Sequence, residues 1–418
     1  MTSASNPSSV TLLDAAEEAR ARSESIITWL LETERLRGAR STLFLDSFAR
    51  RLIDAGLPLD RVSVHIPQLH PQLAGRSLLW DREAGGATEV GYEYSVQNRQ
   101  VYLASPVRLI YEGGPEMRRR LDGPNPEIDF PILKDLQERG FTDYVILPIH
   151  FTKDRLNALS IATREPKGFS YLDLAILKEV LPAFSSLLEL RQLHRTAREL
   201  ISTYVGRSTG ERIFSGTIQR GHGEVMHAII WFCDLRDFTA MSQCRPLDEV
   251  IDLLNTYFDC MAGPVTARGG EILKFVGDAM LAIFPCSADD ATECGALGAA
   301  IGAAEEAYGG ITALSEVRGA MGQPPLDCGI AVHIGDVMYG NIGAADRLDF
   351  TVIGPAVNLV CRMESLTKTL DRRILVSPEI AQLAPTRFVS LGKHEMKGLD
   401  EPREVFALKE AAQVTESA

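Results

Sequence analysis

The chain of 418 residues is 45% hydrophobic and 24% charged, with 34 Gly and 21 Pro, values that exclude collagen-like, disordered and disulfide-scaffold classes. At roughly 100 to 200 residues per domain, two domains are expected. Lys and Arg total 43 against 56 Asp and Glu, a net charge of −13, which disfavours nucleic acid as a partner and obliges an anionic substrate to find a local positive site.

Residues 1–20 and 409–418 read as flexible ends, polar at their extremes with little to bury. A helix is predicted over Thr42–Ala55, closed by Gly56 at a C′ position. Strand-like runs follow at Arg61–Ile66 and Tyr92–Val96. Asp143–His150 and Ala158–Thr163 flank a Thr-Lys-Asp turn, as in a hairpin. From Leu172 a helix carries Ile176, Val180, Ala183, Leu187, Leu190, His194, Ala197 and Ile201 at alternating spacings of four and three. That is a heptad seam suited to a parallel dimer; packing on its own domain gives a similar stripe, and Pro182 is expected to kink the helix. The glycines between Thr203 and Glu224 exclude a continuous helix, so 196–224 reads as a transducing linker.

The order of elements over 21–195, with Gly168-Phe169-Ser170 leading into the long helix, resembles a GAF-type sensor domain. The resemblance implies an antiparallel sheet with a pocket for a small-molecule ligand; a dimerising α/β domain without a ligand is the other reading. His65, His70 and His150 are candidate haem ligands by residue type, although histidines in strands are more often structural.

From Val225 the pattern changes. His227–Cys233 is a buried-strand run that stops at Asp234, and a helix follows near Phe238. Glu271–Phe275 and Ala279–Phe284 are apolar strands joined by Val276-Gly277-Asp278, a hairpin with Asp278 at its tip. If the hairpin pairs beside the first strand, two carboxylates 44 residues apart meet at one sheet edge, a ligand set for Mg²⁺. Asn358 and Arg362, four apart, share one face of a helix beginning near Pro355. Together they can donate to a ribose oxygen and to a phosphate. All seven cysteines lie at or beyond Cys233 without a CxxC pair, as in a reducing compartment. No signal-peptide pattern or spanning apolar run is present, so a cytoplasmic protein without membrane insertion is expected.

Phe232-Cys233-Asp234-Leu235-Arg236-Asp237-Phe238-Thr239, Lys274–Met280, Thr351–Arg362 and Met396-Lys397-Gly398-Leu399 resemble, in order, the signature of class III nucleotidyl cyclases. The resemblance covers 225–408 and implies an α+β architecture: a ferredoxin-like catalytic domain joined by the helical linker to the GAF-like α/β domain. It implies a homodimer with shared sites, and conversion of ATP to 3′,5′-cyclic AMP and pyrophosphate with two Mg²⁺ ions per site, Mn²⁺ substituting. Matched by position, Asp234 and Asp278 bind metal, while Lys274 and Thr351 read the base. Phe238 and Thr239 contact substrate beside the phosphate loop, Asn358 and Arg362 are catalytic, and Lys397 contacts the terminal phosphates. Lys274, where guanylate-forming members carry Glu, favours ATP; Thr351 resembles the bicarbonate-responsive soluble subgroup. Asp237 stands where Gly is frequent and Asp336 where some members carry a phosphate-binding Arg, leaving more anion stabilisation to Arg362 and Lys397. The alternative is a catalytically weak homologue serving as a nucleotide- or ligand-binding regulatory sensor. A diguanylate cyclase is disfavoured because its Gly-Gly-Asp/Glu-Glu-Phe loop is missing.

Overall fold

The structure, a computed structural model, describes residues 9–37, 40–95, 100–152, 155–286 and 290–409. The chain divides into two units, Met1–Leu200 and Ile201–Ala418.

In the first unit, α1 (Ser9–Thr28) occupies much of the segment expected to be flexible. Its inward residues Ala19 and Ile26 join the core, a stripe too sparse to register in composition. Helix α2 (Ser41–Asp54) precedes Gly56, whose φ of +95° is the left-handed conformation that glycine adopts without steric cost. The chain continues through β1 (Arg61–Pro67), β2 (Leu73–Asp81), β3 (Gly86–Glu93), α3 (Gln100–Leu103), α4 (Pro106–Tyr111) and β4 (Met117–Arg120). It then forms α5 (Pro131–Glu138), β5 (Asp143–Phe151), β6 (Arg155–Thr163) and α6 (Tyr171–Val205). The strand expected at Tyr92–Val96 lies earlier, in β3, and Val96 falls outside the described residues, as do residues 153 and 154 of the predicted turn.

These strands form one sheet in the order β3-β2-β1-β6-β5-β4, antiparallel throughout. Alternation assigns its faces. Val62 and Val64 pair with Trp80 and Leu78 on β2 and with Ile161 and Leu159 on β6, and all enter the core beneath α2 and α6. There Phe184 stacks on Phe44 and Phe48, with ring centroids 5.3 and 4.1 Å apart. Ile176, Val180 and Leu187 belong to this core, so the first half of the heptad seam is used within its own domain. Leu190, His194 and Ala197 are exposed and carry the stripe outward. Helix α6 runs through Pro182 and on to Val205, so the expected linker begins as helix; the break comes at Gly206, φ +87°.

The second unit contains α7 (Arg207–Phe214), β7 (Gly223–Leu235), α8 (Phe238–Gln243), α9 (Leu247–Ala267), β8 (Glu271–Val276) and β9 (Ala279–Pro285). Next come α10 (Asp290–Ala320), β10 (Cys328–Gly343), β11 (Leu348–Ile353), α11 (Pro355–Thr369), β12 (Ile374–Val376), α12 (Pro378–Leu383), β13 (Phe388–His394) and β14 (Arg403–Leu408). The sheet order is β13-β14-β12-β10-β7-β9-β8, with β11 on β10. Its inner part, β7-α9-β8-β9-α10-β10, is the ferredoxin-like βαββαβ unit. Strand β7 is buried on both faces: Trp231, Cys233 and Leu235 pack with Tyr257 and Met261 of α9, and Ala228 and Ile230 with Val360 and Met363 of α11. Among the described residues, no helix is long and apolar enough to cross a membrane.

Candidate active site

Strand alternation sends Asp234 to the same side of β7 as Ala228 and Ile230, the face under α11. Cys233 pairs with Met280, so the β8–β9 hairpin ends beside Asp234. Gly277, at φ +65°, turns the chain and sets Asp278 at the tip. The Asp278 carboxyl lies near enough to act directly on that of Asp234. Burial, followed by the Asp278 charge, pushes Asp234 up to about 6, against a smaller opposing effect of the Leu235 backbone. Two carboxylates this close require a shared proton or a cation. A divalent ion fits the pair: Mg²⁺ is held by one or two carboxylates and completes its shell with water and phosphate oxygens.

A third carboxyl completes the acidic centre and escapes sequence reasoning. Glu364, on the buried side of α11, is 9% exposed. Burial first, then the charge of Asp234, pushes it up to about 7; Thr367 and Arg236 act in the opposite direction. Its room is made by Gly329, the residue paired with Asp234 across β10. A Cβ at Gly329 would lie 2.4 Å from Glu364 Oε1 and 2.2 Å from Thr367 Oγ1. The available signal is spacing: Glu364 falls four residues after Val360 and eight after Ala356, inside the apolar stripe of α11.

The other predicted residues separate into groups. Lys274, half-buried on β8, and Arg362 both act on the Cys361 thiol, which burial chiefly pushes up; this places Lys274 beside α11. Thr351, on β11, is 4% exposed, and its Oγ1 has no partner among the described residues, a buried hydroxyl of the kind a ligand satisfies. Asn358 and Arg362 are exposed one turn apart on α11, and neither bonds to Asp234 or Asp278. Lys397 is exposed between β13 and β14, at the sheet edge opposite the β8–β9 hairpin. Phe238 and Thr239 open α8; Phe238 packs against the core, and Thr239 is exposed.

Asp237 adopts φ +57°, which accounts for glycine at such a position, and pairs with Lys368 at 2.6 Å. Asp336 pairs with His227 at 2.7 Å on adjacent strands. In the first unit, His65 and His150 lie on β1 and β5, strands separated by β6, and His70 Nδ1 accepts the backbone N–H groups of Gln72 and Leu73. Among the described residues no group of three or more His, Cys, Asp and Glu side chains forms a metal cage.

Residues 222–410 match the family described as the adenylate and guanylate cyclase catalytic domain. An adenylate cyclase of Anabaena cylindrica is 30% identical over 280 residues, 66% of this chain and 51% of that protein. A terminal-differentiation-specific adenylate cyclase of Dictyostelium discoideum is 36% identical over 148 residues, 35% of this chain and 7% of its own length. This chain therefore spans about half or less of these curated relatives. Among solved structures, the adenylyl cyclase CyaB from P. aeruginosa aligns with a TM-score of 0.41 at 27% identity, covering 46% of this chain and 98% of that one. The guanylyl cyclase Cya2 aligns with a TM-score of 0.39 at 28% identity, covering 46% and 97%. The family match places a class III cyclase catalytic domain at residues 222–410, within the second unit.

Proposed function

We infer that the protein is an adenylate cyclase, forming 3′,5′-cyclic AMP and pyrophosphate from ATP at a site shared by two copies of the chain. The first unit, read as GAF-like, regulates it. The observation that carries this reading is the Asp234–Asp278 contact, two carboxylates that repel unless positive charge joins them. They would hold a divalent ion, Mg²⁺ or Mn²⁺, which when bound neutralises phosphate oxygens and makes the ribose 3′-hydroxyl a stronger nucleophile.

The remaining roles fall to side chains. The Lys274 ammonium donates to a ring nitrogen of adenine but meets an N–H on guanine, and the orphaned Thr351 hydroxyl supplies a second contact to the base. Asn358 orients the ribose, and Arg362 places a fixed guanidinium where charge grows on the α-phosphate. Lys397 binds the terminal phosphates. The exposure of Asn358 and Arg362 supports a two-chain site, in which they face the carboxylates of a partner copy. The identity to the Anabaena adenylate cyclase supports ATP as substrate. The test is turnover of ATP and of GTP by the purified full-length chain with Mg²⁺ or Mn²⁺, with cyclic products separated by chromatography. Cyclic AMP should predominate; absence of any cyclic nucleotide overturns the reading.

A further inference from the structure

Strand β1 has two unlike faces. Val62, Val64 and Ile66 enter the core, while Arg61, Ser63 and His65 project together to the other side. On an open sheet such polar residues meet water; here α4 and α5 lie over them, and Ser63 is only 2% exposed. On β6 their cross-strand neighbours are small, Ala162, Ser160 and Ala158 facing Arg61, Ser63 and His65, and on β2 Ser77 faces His65 while Leu79 faces Ser63. Small side chains beneath a helical cover leave space. Two adjoining cavities of about 220 and 270 Å³ occupy it, sharing His65, Tyr92, Ser105 and Val107 as walls.

The polar groups around this space are unevenly satisfied. Ser63 Oγ is buried and has no hydrogen-bond partner among the described residues. The Arg61 guanidinium has no ion pair there either: Asp81, its partner in register, bonds Arg139 at 2.7 Å instead. Burial, then Arg139, push the Arg61 pKa down, and the charge of Asp81 offsets them only in part, the mark of a cation short of counter-charge. His65 is neutral, lowered to about 4 by burial and then by Arg61, and its Nδ1 lies 2.6 Å from Ser77 Oγ. That leaves Nε2 as its remaining polar atom. Arg76 is already engaged by Glu89 and Glu199 at 3.0 and 2.7 Å. Glu93 and Asp135 are exposed at the rim.

We propose that this cavity binds a small planar organic anion, with its charged oxygens at Arg61 and Ser63 and its flat body against Tyr92, Tyr102 and Tyr111. The anion supplies the counter-charge that the fold withholds from Arg61, and the phenol rings give a planar body extensive contact at few polar points. Arg61 repels a cationic ligand of the same shape. Every residue involved belongs to the first unit, so the inference stands whether or not the catalytic reading does.

The test uses the full chain and calorimetric titration with benzoate, cinnamate and indole-3-carboxylate, compared with their amides and with tyramine as a cation. At least one carboxylate should bind once per chain and raise the melting temperature, its amide should bind about 10-fold or more weakly, and tyramine should not bind. Arg61→Met should abolish carboxylate binding without lowering the melting temperature of the unliganded chain, because it removes a half-buried charge that no ion pair compensates. Ser63→Ala should weaken binding several-fold. The proposal is overturned if no carboxylate binds at about 5 mM, if amide or amine binds equally well, or if Arg61→Met keeps full affinity.

Discussion

Both sheets place charge on an inner strand, with opposite sign and in different positions. At the end of β7, Asp234 meets Asp278 across a hairpin, with Glu364 behind them, so negative charge accumulates where the sheet opens. Along β1, Arg61 lies half-buried in a polar row beneath helices, and positive charge lines a cavity on the face of the sheet. An acidic cluster at a strand end can recruit a cation with its own water and phosphate ligands. A half-buried cation short of counter-charge can obtain it from a molecule small enough to enter. Position within the sheet, as much as residue type, therefore separates the proposed reaction centre at a strand end from the proposed binding cavity on a sheet face.

The sharpest way to break this contrast is to remove the acidic pair. Asp234→Ala and Asp278→Ala should each lower cyclic AMP formation at least about 100-fold; steady-state assays showing a tenth of the activity in either variant contradict the two-carboxylate site. Base choice should respond next. Lys274→Glu combined with a guanine-compatible residue at Thr351 should raise GTP use relative to ATP by about 10-fold, and unchanged kcat/KM for ATP places base recognition elsewhere.

A smaller effect concerns pH. Asp234 and Glu364, raised from 3.8 to about 6 and from 4.5 to about 7, bind protons more tightly when folded. Their contribution to stability is fully present below pH about 4 and is lost as pH rises toward about 7. In chelator, Asp234→Asn and Glu364→Gln should each flatten the decline in melting temperature across that window and raise it at pH 7 by a few degrees. Excess Mn²⁺ should stabilise the native chain but not Asp234→Asn. A melting temperature that rises with pH in chelator contradicts this assignment.

The acidic pair is legible in sequence because its signals are local: an apolar run stopping at Asp234, and Gly277 beside Asp278 in a hairpin. The shared face of Asn358 and Arg362 follows from helical spacing alone. Glu364 is illegible by the same means, since its burial depends on Gly329 leaving room on a distant strand. The covering of Arg61, Ser63 and His65 is illegible in strand alternation, because α4 and α5, which provide it, lie 40 to 70 residues farther along the chain. The seam of α6 is ambiguous for a physical reason. Spacings of three and four serve packing on a sheet and packing on a second helix alike, and the structure uses Ile176 to Leu187 for the former while leaving Leu190, His194 and Ala197 exposed. Helix α6 continues into the expected linker as far as Val205 because the first interrupting glycine is Gly206.

Complementation tests the shared catalytic site most directly. Inactive Asp278→Ala and inactive Arg362→Ala chains are mixed under conditions in which subunits exchange, and ATP turnover is measured. If each site takes Asp278 from one copy and Arg362 from the other, half of randomly paired dimers are mixed, and each mixed dimer has one intact site of two, so activity should recover to about a quarter of the native level. A mixture that stays inactive despite demonstrated exchange would contradict the account.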